Sequence, residues 1–146
     1  MNNTYCHRYI ENEVRSAFAD FKIVLITGAR QVGKSTLLRN LFPAYPMVTF
    51  NPHEDVQGAR KNPELFLNQF TGPVILDEVQ YVPELLAYIK IKVDASPAKG
   101  QYLLTGSQNL GLLNSIGESM AGRVAIIEIG PMTPYEITQS FSQTPA

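Results

Sequence analysis

A three-layer α/β fold on a five-stranded, mainly parallel sheet is the architecture this chain predicts, and two observations carry that expectation. Short, strongly apolar runs recur along the 146 residues, separated by stretches with helical spacing. A glycine-rich segment joins the first of those runs directly to a helical stretch. Strands alternating with helices imply right-handed crossovers, hence parallel strands with helices on both faces. In such sheets ligands bind beyond the carboxyl ends of the strands.

The elements follow in order. Residues 8–19 place Tyr9, Ile10, Val14, Ala17 and Phe18 on one stripe, with Glu11, Asn12 and Arg15 outside it, so a leading amphipathic helix is expected within residues 1–21. Lys22–Thr27 reads as a first strand covered on both faces. Lys34–Phe42 reads as a helix stopped before Pro43, and Met47–Phe50 as a short second strand ended by Asn51-Pro52. Asp55 is placed to cap a helix running to about Arg60. Asn62-Pro63 is a cap followed by proline at the first helical position, opening Glu64–Phe70. Gly72-Pro73 turns the chain into a third strand, Val74–Leu76. Pro83 opens a helix to Asp94 with Leu85, Leu86, Ile89 and Val93 as its buried stripe. A fourth strand, Gln101–Thr105, is followed by a helix capped by Asn109 that holds Leu112, Leu113, Ile116 and Met120. Arg123–Ile129 is the fifth strand, and Thr133–Phe141 begins a further helical stretch.

The glycine-rich segment carries the most chemistry. Gly28, Ala29, Arg30, Gln31, Val32, Gly33, Lys34, Ser35 and Thr36 fit G-x-x-x-x-G-K-[ST], between a buried strand and a helix as that pattern requires. Glycines let the backbone curl so that successive N–H groups face phosphate oxygens, and the following helix adds the positive end of its dipole. Lys34 can reach the β- and γ-phosphates, and the Ser35 hydroxyl can ligand Mg²⁺. The chain therefore reads as a nucleoside triphosphate site.

Two further strand ends match that reading. Val74-Ile75-Leu76 closes on Asp77 and Glu78. Asp77 is placed to hold Mg²⁺ together with Ser35, and Glu78 is the natural general base for an attacking water. Leu103-Leu104 closes on Thr105, Gly106 and Ser107, small polar groups that can face the γ-phosphate or the lytic water, Ser107 first and Thr105 second, or that make only local turn and helix-capping hydrogen bonds. Arg123, after Met120-Ala121-Gly122, is a candidate for neutralising charge in the transition state, in its own chain or in a neighbour's, or else a surface arginine opening a strand.

Composition limits the partners. Twelve Lys and Arg against thirteen Asp and Glu give a net charge of −1, with no global basic surplus for nucleic acid or an anionic membrane. Cys6 is the single cysteine, so no internal disulfide forms, which fits a reducing compartment. His7 and His53 lack metal-ligand spacing, and no apolar stretch has the length of a membrane span. A cytoplasmic location is expected.

The combination Thr27–Thr36, Leu76-Asp77-Glu78-Val79-Gln80, Leu103-Leu104-Thr105-Gly106-Ser107, Ser119-Met120-Ala121-Gly122-Arg123 and Pro131-Met132-Thr133-Pro134-Tyr135-Glu136 resembles one group of prokaryotic AAA-type P-loop ATPases. In that group the ATPase domain precedes a C-terminal domain often described as restriction-endonuclease-like. The resemblance runs over nearly the whole chain. It implies the strand order 5-1-4-3-2, with the strand ending at Ser107 between the P-loop strand and the Asp77 strand. It also implies ATP rather than GTP, a sensor role for Ser107, a phosphate-facing Arg123, and contact with a partner or a second copy for full activity. By the same resemblance residues 133–146 begin a C-terminal extension that family members continue, so the chain is either an excised ATPase domain or a naturally short copy.

Rival activities are also defined by the residues. Guanine selection uses [NT]-K-x-D, and the nearest string, Ile91-Lys92-Val93-Asp94, lacks the first residue and falls inside a helical stretch. A small-molecule kinase would need an acceptor pocket and lid arginines that the sequence does not display. A nucleotide-binding module with little turnover of its own is the alternative from another class.

Overall fold

The computed structural model describes residues 2–28, 33–107, 114, 116–118 and 120–129, with backbone alone for 2–8. The expectations for Ala29, Arg30, Gln31 and Val32, for Asn109, Leu112 and Leu113, and for residues 130–146 lie outside the described residues, as do the side chains of Cys6 and His7.

Helix α1 (Asn2–Asp20) leads into β1 (Ile23–Gly28), followed by α2 (Lys34–Leu41), β2 (Met47–Thr49), α3 (Pro63–Asn68), β3 (Val74–Asp77), α4 (Leu85–Asp94), β4 (Tyr102–Gly106) and β5 (Val124–Ile129). The five strands form one sheet in the order β2-β3-β4-β1-β5, and every pairing is parallel. Viewed from the opposite edge this is the order 5-1-4-3-2 implied above.

Why the central strands are nearly pure hydrocarbon follows from the layers. Successive residues of a strand point to opposite faces, and both faces are covered. Ile23 and Leu25 of β1 join Phe66, Leu67, Leu85, Leu86, Ile89, Val93, Ile116 and Met120 in one core. Val24 and Ile26 join Ile10, Val14 and Phe18 of α1 and Leu37, Leu38 and Leu41 of α2 in the other. All six residues of β1 are buried, as expected for a parallel strand with helices on both sides.

Local chemistry sets most boundaries. The Asn62 side chain accepts the Leu65 N–H at 3.2 Å with Pro63 in the first turn, so α3 starts where the cap predicts. The stripe Leu85, Leu86, Ile89 and Val93 is buried along α4, which begins two residues after Pro83. Gly100 adopts φ +65°, and a Cβ there would lie 3.1 Å from the Phe18 carbonyl oxygen. Its N–H donates to the Phe21 carbonyl at 2.9 Å, joining the α4–β4 loop to the end of α1.

Two expectations fail. Tyr9 lies at the edge of its stripe and is 40% exposed, whereas Ile10, Val14 and Phe18 are buried. The helix expected from Asp55 to Arg60 is a single 3-10 turn, Val56–Gly58, with Gln57 in the left-handed region at φ 51°. Asp55 does not cap it from the front. Its carboxylate reaches forward to accept the Arg60 and Lys61 N–H groups, closing the loop on itself.

Candidate functional site

Because all five strands run the same way, their carboxyl ends share one edge of the sheet, and the expected polar residues gather there. The register pairs Thr27 with Gly106, and Thr49 with Asp77. With β4 between β1 and β3, the tip bearing Ser107 stands between the end of the P-loop strand and the acids of β3.

On the β1 side, α2 starts at Lys34 directly behind Gly33, which takes φ 80° as the N-cap residue and supplies no side-chain cap. Among the described residues, and apart from its chain neighbours, nothing lies within 4 Å of where a Cβ would stand at Gly33. The N-cap glycine has no side chain with which to cap this eight-residue helix, and a helix head is the end whose N–H groups and dipole favour an anion. Lys34 is 4% exposed, and its ammonium donates to the Gly28 carbonyl at 3.0 Å across the base of the loop. Ser35 is half-buried and Thr36 exposed. The structure therefore brings Gly28, Gly33, Lys34 and Ser35 together at the head of α2.

On the β3 side, Asp77 is 5% exposed, and hydroxyl groups of the two flanking strands bracket its carboxylate. Thr49 Oγ1 of β2 donates to Oδ2 at 3.0 Å, and Thr105 Oγ1 of β4 donates to Oδ1. A buried carboxylate needs such partners, since its desolvation is otherwise costly. Each oxygen retains further lone pairs for a cation.

Thr105 is fully buried, and its hydroxyl also accepts the Glu78 N–H at 2.9 Å. This matches the local hydrogen-bonding reading of the strand tip and not its second-choice role at the γ-phosphate. Its hydroxyl is engaged inside the protein, so Thr105 holds the Asp77 carboxylate and the Glu78 backbone. Glu78 itself sits in the left-handed region at φ 64°, ψ 49°, a conformation that costs a non-glycine residue on the order of 1 kcal/mol. The Glu78 side chain is half-buried. The next turn, Val79–Tyr81, is held by Arg60, whose guanidinium donates twice to the Tyr81 carbonyl, at 3.2 and 2.8 Å, and also to the carbonyls of Glu54 and Asn51.

Arg123 is not part of this edge. It stands just before β5, and its carbonyl accepts the Ile23 N–H at the amino end of β1. At roughly 3.3 Å per residue, the six residues of β1 put Arg123 about 16 Å from Gly28 along the strand axis. Its guanidinium is engaged there by Asp94 at the end of α4 and by the Ala121 carbonyl. The geometry contradicts the reading in which Arg123 faces phosphates bound by its own chain, and the engagement observed is an exposed ion pair with Asp94, as for a surface arginine opening a strand. The nearest match to a guanine-selecting string, Ile91–Asp94, lies within α4 at that same remote edge.

Three residues of the site have no role that the sequence motifs assign: Thr49, Arg60 and Gln80. A threonine at the carboxyl tip of a strand beside the Asp77 strand was the available signal for Thr49. Arg60 acts through backbone carbonyls, which leave no mark on sequence spacing. Among the described residues no cluster of three or more His, Cys, Asp or Glu side chains forms a metal centre. No helix among them is long and apolar enough to cross a membrane.

Comparison with known proteins agrees with the geometry. The chain is 33% identical over 128 residues to the uncharacterized protein Rv2008c of Mycobacterium tuberculosis, and to the same extent to the uncharacterized protein Mb2031c of Mycobacterium bovis. Each alignment covers 87% of this chain and 29% of the relative, so the chain spans under a third of the length of these curated relatives. A family model described as an AAA domain matches residues 20–138, which takes in the P-loop, the paired acids of β3 and the tip of β4, and the chain belongs to that family.

Proposed function

We propose that this domain binds ATP and hydrolyses it with Mg²⁺ by direct attack of water. The observation that carries the reading is the buried Lys34 at the head of a helix behind a left-handed N-cap glycine, on the same sheet edge as a buried, hydroxyl-bracketed Asp77. Lys34 and the backbone N–H groups of the loop hold the phosphates. Ser35 and Asp77 form an all-oxygen donor set that suits Mg²⁺, which favours one or two carboxylates beside phosphate and water. When bound, the cation screens the negative charge on the phosphates. Glu78 accepts the proton of the attacking water, and Ser107 lines the approach from β4.

The test is titration of a fluorescent ATP analogue with Mg²⁺ into the parent chain, Lys34→Ala and Glu78→Gln, with phosphate release followed in the same samples. The expected result is binding lost in Lys34→Ala and retained in Glu78→Gln, with phosphate release slowed by about 10²–10⁴-fold in the latter. Parent-like release from Glu78→Gln would overturn the assignment of the base.

The position of Arg123 favours a second reading, a nucleotide-binding module that turns over slowly as a lone copy. An arginine supplied in trans is worth about 10³–10⁵ in rate, and in this chain Arg123 stands at the far edge of the sheet. Turnover per molecule that rises with protein concentration supports hydrolysis completed by a neighbouring copy. Tight binding with flat, negligible release supports the module.

A further inference from the structure

Fixing the backbone of Glu78 does not fix its carboxylate. The terminal torsion of a glutamate is broad, and a base must be held in a narrow geometry to act on water. In this protein a neighbour supplies that restraint. Gln80 Nε2 donates to Glu78 Oε1 at 2.7 Å, while Gln80 Oε1 accepts the Ser107 backbone N–H at 3.2 Å. The two ends of the amide are not interchangeable. A carboxylate oxygen only accepts and a backbone N–H only donates, so one orientation of the amide satisfies both partners and the flipped one satisfies neither.

The base of this bridge is equally constrained. Val79, one residue before, is fully buried, and the carbonyl of Tyr81, one residue after, is the double acceptor for Arg60. Gln80 thus projects from a pinned turn, spans from β3 to the tip of β4, and directs the Glu78 carboxylate toward the strand that neighbours β1.

We infer that Gln80 is a positioning residue of the hydrolytic reaction, which aims the Glu78 carboxylate and ties it to the β4 tip so that base and phosphate-side backbone hold one geometry. This rests on the proposed role of Glu78 as the base. The role is separable from nucleotide binding, because neither partner of the Gln80 amide belongs to the P-loop.

The experiment measures single-turnover ATP hydrolysis and fluorescent ATP-analogue affinity for the parent chain, Gln80→Leu, Glu78→Gln and the double variant, with hydrogen exchange at the Ser107 amide. Gln80→Leu is expected to slow hydrolysis by about 10²-fold, to leave affinity within about 2-fold, and to speed exchange at Ser107. Added to Glu78→Gln, it is expected to slow hydrolysis no further, since both changes disable one unit. Gln80→Glu keeps the shape and the acceptor for Ser107 but sets two carboxylates together, so it must slow hydrolysis at least as much while leaving Ser107 protected. This second variant decides the matter where Gln80→Leu does not fold.

Parent-like hydrolysis in a folded Gln80 variant, beside a slow Glu78→Gln, overturns the inference and leaves Glu78 as the base. Losses that multiply in the double variant overturn it too, because Gln80 then acts independently. Parent-like hydrolysis in Glu78→Gln removes the base assignment itself and the role of Gln80 with it.

Discussion

At the carboxyl edge of the sheet, Asp77, Thr49, Thr105, Glu78 and Gln80 hydrogen-bond to one another, and the innermost of them are withdrawn from water. At the amino edge the charged groups keep their solvent. Asp94 and Arg123 form a pair whose side chains stay 38% and 33% exposed, and Lys90 approaches the same carboxylate at 3.8 Å. Lys22 donates from there to the Val93 carbonyl at 2.8 Å, at the end of α4 where a positive charge is favourable. The same strands thus end in two kinds of polar construction. Where water is excluded, each polar atom depends on a particular neighbour, and losing one strands the others. Where water has access, it replaces whatever is removed.

The largest effect of this contrast is expected at Thr105. Thr105→Val keeps the shape but leaves the Glu78 N–H and one Asp77 oxygen without their hydroxyl partner. About 1–3 kcal/mol per stranded group is expected, seen as a lower midpoint in urea denaturation. Phosphate release should fall together with it, because both acids lose their orientation. A variant with parent stability and parent turnover would show that water enters this edge after all.

Lys22→Met tests the other edge at a middle scale. It removes a charge-assisted bond to the last turn of α4, worth about 0.3–1 kcal/mol, and should leave nucleotide affinity and single-turnover rate unchanged. A loss of rate in this variant would mean that the two edges are coupled through β1.

Asp94→Asn gives the smallest effect and separates the two edges through pH. The hydrogen bond from the Arg123 guanidinium holds the Asp94 carboxyl below its ordinary range. A carboxyl with a lowered folded pKa contributes stability that is fully present above its unfolded value, about 3.9. That contribution is lost as pH falls through the lowered value. Thermal midpoints of parent and Asp94→Asn should therefore differ slightly near neutral pH and converge in acid. Because the pair is exposed, added salt should shrink the difference as well.

What was legible in the sequence divides along the same line. The strands, the parallel arrangement, the P-loop context and the tip acids all follow from apolar runs and from residues whose role is tied to a fixed spacing. The buried stripe of α4 and the Asn62 cap of α3 were readable for the same reason. The order of the strands came from resemblance, since nothing in a strand's own composition names its neighbour. Residues acting across strands were harder to find. Thr49 and Thr105 reach Asp77 over 28 positions in either direction, and whether a threonine faces an acid or a phosphate depends on register. Arg123 illustrates the other difficulty. One residue before a strand lies at the opposite edge from one residue after it, so proximity in sequence to a site element carried no information about distance to the carboxyl edge of the sheet.

The left-handed backbone of Glu78 has an evolutionary consequence. Glycine adopts that conformation without penalty, so Glu78→Gly would relieve strain at the turn while deleting the carboxylate. At this one position the ease of the backbone and the presence of the carboxylate pull in opposite directions. The chain keeps a glutamate where its backbone would settle more readily around a glycine, the pattern of a position held for its side chain.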